Sequence, residues 1–175
     1  LVLYAPTFRA DGSLEPYSLD IPRVLDAFDR RFGGSHCMLL RLHPNLDAKS
    51  DALSCDNLTT FNATRYPDMQ ELLAVADVVI TDYSSLMFDF ALTGRPCFQF
   101  ATDIAAYRQD RSFNFSLDAL PFPLAENNDQ LLQAIAAYDP EIAHKKWQAF
   151  AQENGICEDG HAAKRCADWI LKHMH

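Results

Sequence analysis

The sequence predicts an α/β fold, a Rossmann-like doubly wound parallel sheet, and three observations predict it. Short apolar, strand-like runs alternate with segments of helical period along most of the chain. That alternation implies parallel strands joined by right-handed crossovers. The chain is 175 residues long and 49% apolar, with turn residues scattered, which fits one domain over 1–175 with a real core.

The elements follow in order. Leu1–Ala5 reads as a first strand, and a polar loop then leads to a helix near Ile21–Phe32 with Pro22 in its first turn. Gly33-Gly34 ends that helix. Cys37–Leu42 is the next apolar run and stops at His43-Pro44, because proline cannot continue a central strand. A short strand is expected at Leu58–Phe61, and Asp68–Ala76 has one apolar face at helical spacing. Asp77–Ile80 is a β-branched strand, Ser84–Thr93 a buried helix ended by Gly94, and Pro96–Phe100 a further strand. The last third predicts helices at Asn128–Tyr138, Pro140–Glu153 and Gly160–Lys172. A chain that opens on a core strand is expected to be a fragment of a longer protein.

Charge narrows the function. The net charge is −9, and residues 67–175 hold eight Lys/Arg against sixteen Asp/Glu. Such a surface repels a phosphate backbone, so nucleic acid is not expected as a partner, and a phosphorylated ligand must be caught by local features. No apolar run approaches the roughly 18 residues that span a bilayer. The five cysteines form no CxxC pair and are expected to be reduced and buried. Cys157, His161 and Cys166 match no zinc spacing, so no metal is expected.

In doubly wound sheets ligands bind beyond the carboxyl ends of the strands. Four segments lie there: Ala5–Arg9, Arg41–Pro44, Ile80–Ser85, and the stretch after Phe100 with Asp103, Tyr107, Arg108 and Arg111. At Ile80–Ser85 a strand runs straight into a helix, so free N–H groups and the Ser84 and Ser85 hydroxyls can receive an anion. Ordinary N-capping by Asp82 or Ser84 is the alternative, and Asp82 is expected to point away or to bond the backbone. Asp89, one turn further, meets either a sugar diol or a structural partner such as Arg95 or a backbone amide. His43 could stabilise or protonate a phosphate leaving group, or simply pack. Arg9, Arg108 and Arg111 either fork onto phosphate oxygens or are solvated.

The strings VLYAPTFR (2–9), LRLHPN (40–45), ELLAVADVVITDYSSLMFDFALTGRP (71–96) and EDGHAAKR (158–165) resemble, in order, the CDP-glycerol glycerophosphotransferases of teichoic-acid and capsule synthesis. The resemblance covers nearly the whole chain. It implies the C-terminal, donor-binding half of a GT-B-type two-domain transferase, peripheral at the cytoplasmic membrane face. CDP-glycerol or another CDP-polyol is then the donor, a polymer or lipid-linked acceptor attacks it, and CMP leaves, with no cofactor or metal. His43 is implied to help the leaving CMP, with Pro44 beside it. Ser84, Ser85, Arg9 and Arg111 are implied to hold phosphate, and Asp89 to meet ribose or polyol. Asp82, Asp159 and Gly160 are implied as structural residues near the site.

The sequence departs from the family's pattern at Ser112, where a glycine is usual, and at Phe122-Pro123, where Pro-Gly is common. Both loops are expected near the nucleotide or polyol, which puts the donor's identity in doubt. The family's proposed general base is a histidine of the N-terminal half, so this chain is expected to bind donor without turning it over. Two other readings remain: a GT-B domain for a nucleotide sugar, as in glycosyltransferases or epimerases, and a non-catalytic nucleotide-binding scaffold.

Overall fold

The computed structural model describes residues 1–46, 59–110 and 115–174. Six strands form one sheet: β1 (Val2–Tyr4), β2 (Met38–Leu40), β3 (Thr60–Asn62), β4 (Val78–Thr81), β5 (Cys97–Phe100) and β6 (Leu124–Ala125). Their order is β3-β2-β1-β4-β5-β6, and every neighbouring pair is parallel. This is the doubly wound order, in which the chain reverses its direction of travel between β1 and β4.

The period-2 alternation of each strand feeds two cores. Val2, Tyr4, Leu40, Ile80, Phe98 and Phe100 point to one face and pack on α1 (Ile21–Phe32). The opposite face carries Leu3, Ala5, Val79 and Cys97 against Leu72, Leu73, Met87 and Phe90. Those residues come from α2 (Met69–Val75) and α3 (Leu86–Ala91). The helix ends are set locally. Asp20 accepts from the Arg23 N–H, Asp68 from those of Gln70 and Glu71, and Gly33 closes α1 at a φ of 77° that favours glycine.

Two elements were not expected from the sequence: α4 (Ile104–Asp110) and strand β6 itself. α5 (Asn128–Ala136) packs back on α1 and supplies Leu131 and Ile135 to the first core. α6 (Pro140–Glu153) is capped by Asp139 and brings Trp147 and Phe150 to an aromatic cluster with Phe88 and Phe122. α7 (Ala162–His173) buries none of its residues, and Trp169 is 63% exposed. Among the described residues no helix is long and apolar enough to cross a membrane.

The expected buried thiols need correcting. Cys97 is buried and Cys37 partly so, but Cys157 and Cys166 are exposed because they flank or lie on α7; Cys55 lies outside the described residues. Phe28 sits at the centre of the first core, fully buried against Phe98 at 5.8 Å between ring centroids. Replacing it by alanine is expected to cost about 3–5 kcal/mol of stability, read by urea denaturation.

Candidate functional site

The carboxyl ends of β1, β2 and β4 surround a cleft of about 240 Å³. Thr7 and Phe8 line it from β1, Arg41, His43 and Pro44 from β2, and Ser84 and Leu86 from β4. It lies at the β1/β4 reversal, where two connections leave in opposite directions and open a crevice.

The β2 wall is fixed by backbone bonds. The Arg41 N–H donates to the Tyr4 carbonyl at 2.8 Å, and Leu42 N–H to Thr64 Oγ1 at 3.2 Å. Arg41 Nη1 donates to the carbonyls of Leu42 and Thr64, each at 2.6 Å, which holds the guanidinium beside the cleft. Its Nε is buried and has no partner among the described residues. The His43 ring lies 5.1 Å from Phe8, and its Nδ1 accepts the Asn45 N–H at 3.2 Å. An acceptor at Nδ1 places the proton of the neutral ring on Nε2, so the free edge of the imidazole is a donor.

The β4 wall enters α3 through Asp82-Tyr83-Ser84-Ser85. Ser85 makes no side-chain cap bond, and Ser84 Oγ accepts only a long contact from Leu86 N–H at 3.4 Å. Capping therefore leaves the Ser85 hydroxyl unused and engages that of Ser84 only weakly. The amides of Ser84 and Ser85 make no hydrogen bond among the described residues. α3 has six residues where the sequence predicts ten, so its macrodipole is small. What the turn offers an anion is local: two N–H groups and two hydroxyls.

Arg9 is placed differently from the phosphate role given to it above. It is 8% exposed and its five N–H groups have five acceptors. Nε and Nη2 donate to the two Asp103 oxygens at 2.6 and 2.9 Å, and Nη2 also to Asp82 Oδ2 at 2.9 Å. Nη1 donates to the Thr7 carbonyl and hydroxyl at 2.6 and 2.8 Å. A phosphate could pair with this guanidinium only by displacing a carboxylate or the Thr7 oxygens.

Asp82 is 1% exposed, and its Oδ1 accepts from Thr7 N–H, Thr7 Oγ1 and Tyr83 N–H at 2.8, 2.9 and 2.6 Å. Burial pushes its pKa up, while Arg9 and the two amides oppose the rise. N–H groups can only donate, so the contacts at both Asp82 oxygens favour the carboxylate form. Asp103 is held below the usual carboxylate range: burial raises it, but the Arg9 and Tyr83 hydrogen bonds outweigh that. Arg9 loses some basicity to burial and regains more from Asp103 and Asp82, so it stays charged.

The remaining predicted residues fall outside the cleft lining. Asp89 is exposed rather than buried, and its partner is Gln70 Nε2 at 3.2 Å. Arg95 instead donates to the carbonyls of Ala74 and Ala76. Asp159 accepts the His161 N–H and pairs with Arg165, and Gly160 turns the chain at a φ of 76°, ahead of α7. Arg111 and Ser112 lie outside the described residues. A larger cavity of about 470 Å³ lies between α1 and α5, away from the strand ends. Its Arg23 and Arg30 are already paired with Asp129 and Asp26. Among the described residues no group of three or more His, Cys, Asp or Glu gathers as a metal site would.

Sequence reasoning did not assign Thr7, Phe8 and Arg41 to the site, although all three lie in the strand-end segments it selected. Arg41 precedes the His-Pro pair by two residues, and that spacing across a strand end was the available signal.

The sheet order and this cleft define a Rossmann-like α/β domain with its crevice at the carboxyl ends of the strands. Comparison with known proteins makes the class specific. Residues 1–172 match the model of the CDP-Glycerol:Poly(glycerophosphate) glycerophosphotransferase family, and the chain belongs to that family. It is 30% identical to a teichoic acid glycerol-phosphate transferase of Staphylococcus aureus, over 98% of this chain and 45% of that protein. It is 29% identical to a teichoic acid ribitol-phosphate primase of Bacillus spizizenii, over 97% of this chain and 43% of that protein. Among solved structures it matches the wall teichoic acid polymerase TagF with a TM-score of 0.71 at 30% identity, covering 98% of this chain and 42% of that one. The chain thus spans less than half the length of these relatives.

The Asp103 contacts have a pH signature. A carboxylate with a depressed folded pKa stabilises above its unfolded value, about 4, and the contribution is lost as pH falls through the folded value. The stability advantage of the native chain over Asp103→Asn is expected to be greatest near neutral pH and to shrink below about pH 4. Urea denaturation of both proteins across that range checks it.

Proposed function

We propose that this chain is the donor-binding half of a GT-B-type transferase that uses CDP-glycerol or another CDP-polyol. One observation carries the reading: His43 and Ser84, whose amide is unengaged, line one cleft at the β1/β4 reversal of a glycerophosphotransferase-family domain, with Ser85 exposed beside it. In support, another solved structure of TagF is of a variant soaked with CDPG.

The chemistry follows from charge. A hydroxyl of the acceptor attacks the β-phosphorus of the donor and forms the new phosphodiester bond. The bond from that phosphorus to the bridging oxygen breaks, and CMP departs with the electron pair. The hydroxyl proton passes to a base that this reading assigns to the N-terminal half. Ser84, Ser85 and their amides stabilise the phosphate charge, and His43 Nε2–H donates to the departing oxygen. Arg41 adds a positive charge at the wall. These groups supply the stabilisation without calling for a metal.

At about 240 Å³ the cleft is below the roughly 300–1,000 Å³ of typical ligand sites, so it suits the diphosphate and polyol, with the cytidine reaching outside it. The uncovered α7 and the length of the relatives support a second half that packs alongside. The acceptor is then a teichoic-acid or capsule-type polymer, reached at the inner face of the membrane with the complete protein bound peripherally.

CDP-glycerol and CMP are expected to raise the thermal midpoint of this chain more than UDP or GDP do. A larger shift with UDP-sugars would move the donor to that class. Ser84→Ala is expected to weaken CDP-glycerol binding about tenfold, the size of one lost hydrogen bond to a charged group. In the full-length protein His43→Ala is expected to abolish turnover, and unchanged turnover removes His43 from the mechanism.

A further inference from the structure

The ion-pair group beside the cleft has a geometry that the phosphate-binding role for Arg9 does not explain. Arg9 follows β1, Asp82 follows β4 and Asp103 follows β5, so three strand ends meet at one guanidinium. Asp82 joins the Thr7 amide to the Tyr83 amide through a single oxygen. Thr7 lines one wall of the cleft, and Tyr83 immediately precedes Ser84 on the other. The guanidinium is enclosed by Tyr17, Tyr83 and Tyr107, at 5.6, 5.0 and 5.1 Å from the ring centroids. Tyr83 and Tyr107 stack at 3.9 Å, and the Tyr83 hydroxyl donates to Asp103 at 2.9 Å. One cation and two carboxylates leave the group with a net charge of about −1 when all are ionised.

We propose that Arg9, Asp82 and Asp103 form a positioning clamp that fixes the spacing between Thr7 and the Ser84 turn, with Arg9 binding no phosphate. The proposal rests on the reading of the cleft as a donor site. It assigns the clamp's effect to geometry, because its own field opposes an anion. Simple electrostatics and the clamp therefore predict opposite signs for one substitution. Asp103→Asn removes a negative charge near the donor diphosphate, which favours binding if field alone matters. It also replaces an acceptor of three charge-assisted hydrogen bonds by an amide that can satisfy only part of them, which loosens the turn.

The test is calorimetric titration of the chain and its variants with CDP-glycerol and with cytidine. The clamp predicts that Asp103→Asn weakens CDP-glycerol binding about tenfold while cytidine, which has no phosphate to present to the turn, binds as before. Unchanged or tighter CDP-glycerol binding overturns it, and equal loss for both ligands reduces the group to a general structural role and overturns it too. Arg9→Lys separates the roles a second way. A phosphate ligand is largely rescued by lysine, whereas a fork with five acceptors is not, so the clamp expects Arg9→Lys to bind CDP-glycerol as poorly as Arg9→Met. Should Asp103→Asn fail to fold, Tyr83→Phe deletes one hydrogen bond to the same carboxylate and is expected to weaken CDP-glycerol about threefold. If the native chain binds neither CDP-glycerol nor CMP, the donor-site reading fails. The clamp is then judged in ligand-free protein, where amide exchange at Thr7 and Tyr83 is expected to be about tenfold faster in Tyr83→Phe or Asp103→Asn. Unchanged exchange there overturns it.

Discussion

The interaction on which the strand-end architecture depends is the burial of the Asp82 carboxylate. Taking an ion to 1% exposure costs several kcal/mol unless it is paired and fully hydrogen-bonded. Here the Arg9 guanidinium, the Thr7 hydroxyl and two main-chain amides supply the four contacts. Because those donors come from both sides of the β1/β4 reversal, satisfying the charge forces the two loops into one arrangement. Asp103 extends the constraint to β5, and Thr81 Oγ1 adds a bond to the Ala5 carbonyl at 2.7 Å. A crevice that follows from sheet topology alone is thereby given fixed walls.

Much of the fold was legible because its determinants are local or periodic. The run Val78–Thr81 is β-branched and apolar on both faces, as a strand buried between two helix layers must be. Asp68, Asp139 and Gly33 mark helix ends by chemistry that acts within three or four residues. β6 was hidden because two residues directly after Pro123 carry no period, and its pairing with Gln99 and Phe100 is a tertiary fact. α4 was hidden because the about two turns of IAAYRQD show too short a stripe. His43 and Ser84 were findable from strand-end position. The fate of Arg9 was not, since its acceptors lie 73 and 94 residues away and an arginine in a polar loop reads equally well as a phosphate fork.

The electrostatics of the chain carry a related lesson. A protein with a net charge of −9 and a clamp of net negative charge beside its cleft cannot attract a diphosphate by its overall field. On the donor-site reading, binding draws on groups at contact range: the Arg41 charge at the wall and the dipoles of the amides and hydroxyls at the Ser84 turn. Such groups are effective only when held still, because a dipole that must reorient to meet the anion spends part of its interaction in doing so. On that reading the rigidity of the Asp82–Ser84 turn bears more directly on binding than the count of basic residues around it.

The same positional logic bears on the choice of polyol. The Phe122-Pro123 departure was expected to lie near the donor, but parallel pairing of β6 with β5 sets it at the opposite edge of the sheet. Gln99 aligns with Leu124, so Phe122 stands level with Cys97, at the amino end of β5. There its ring packs on Phe88 and Trp147 at 6.0 and 6.2 Å, and its carbonyl accepts from Gln99 Nε2. The bulk at this position fills the seam between the sheet and α6, a packing demand unrelated to the ligand. If the chain holds the donor as proposed, a determinant that separates glycerol from ribitol donors is to be sought at the carboxyl ends, around Thr7, His43 and Ser84. Relatives named for either polyol match this chain to nearly the same degree, so on the donor-site reading the shared frame would present the phosphates and the groups at the rim of the cleft would select what they carry.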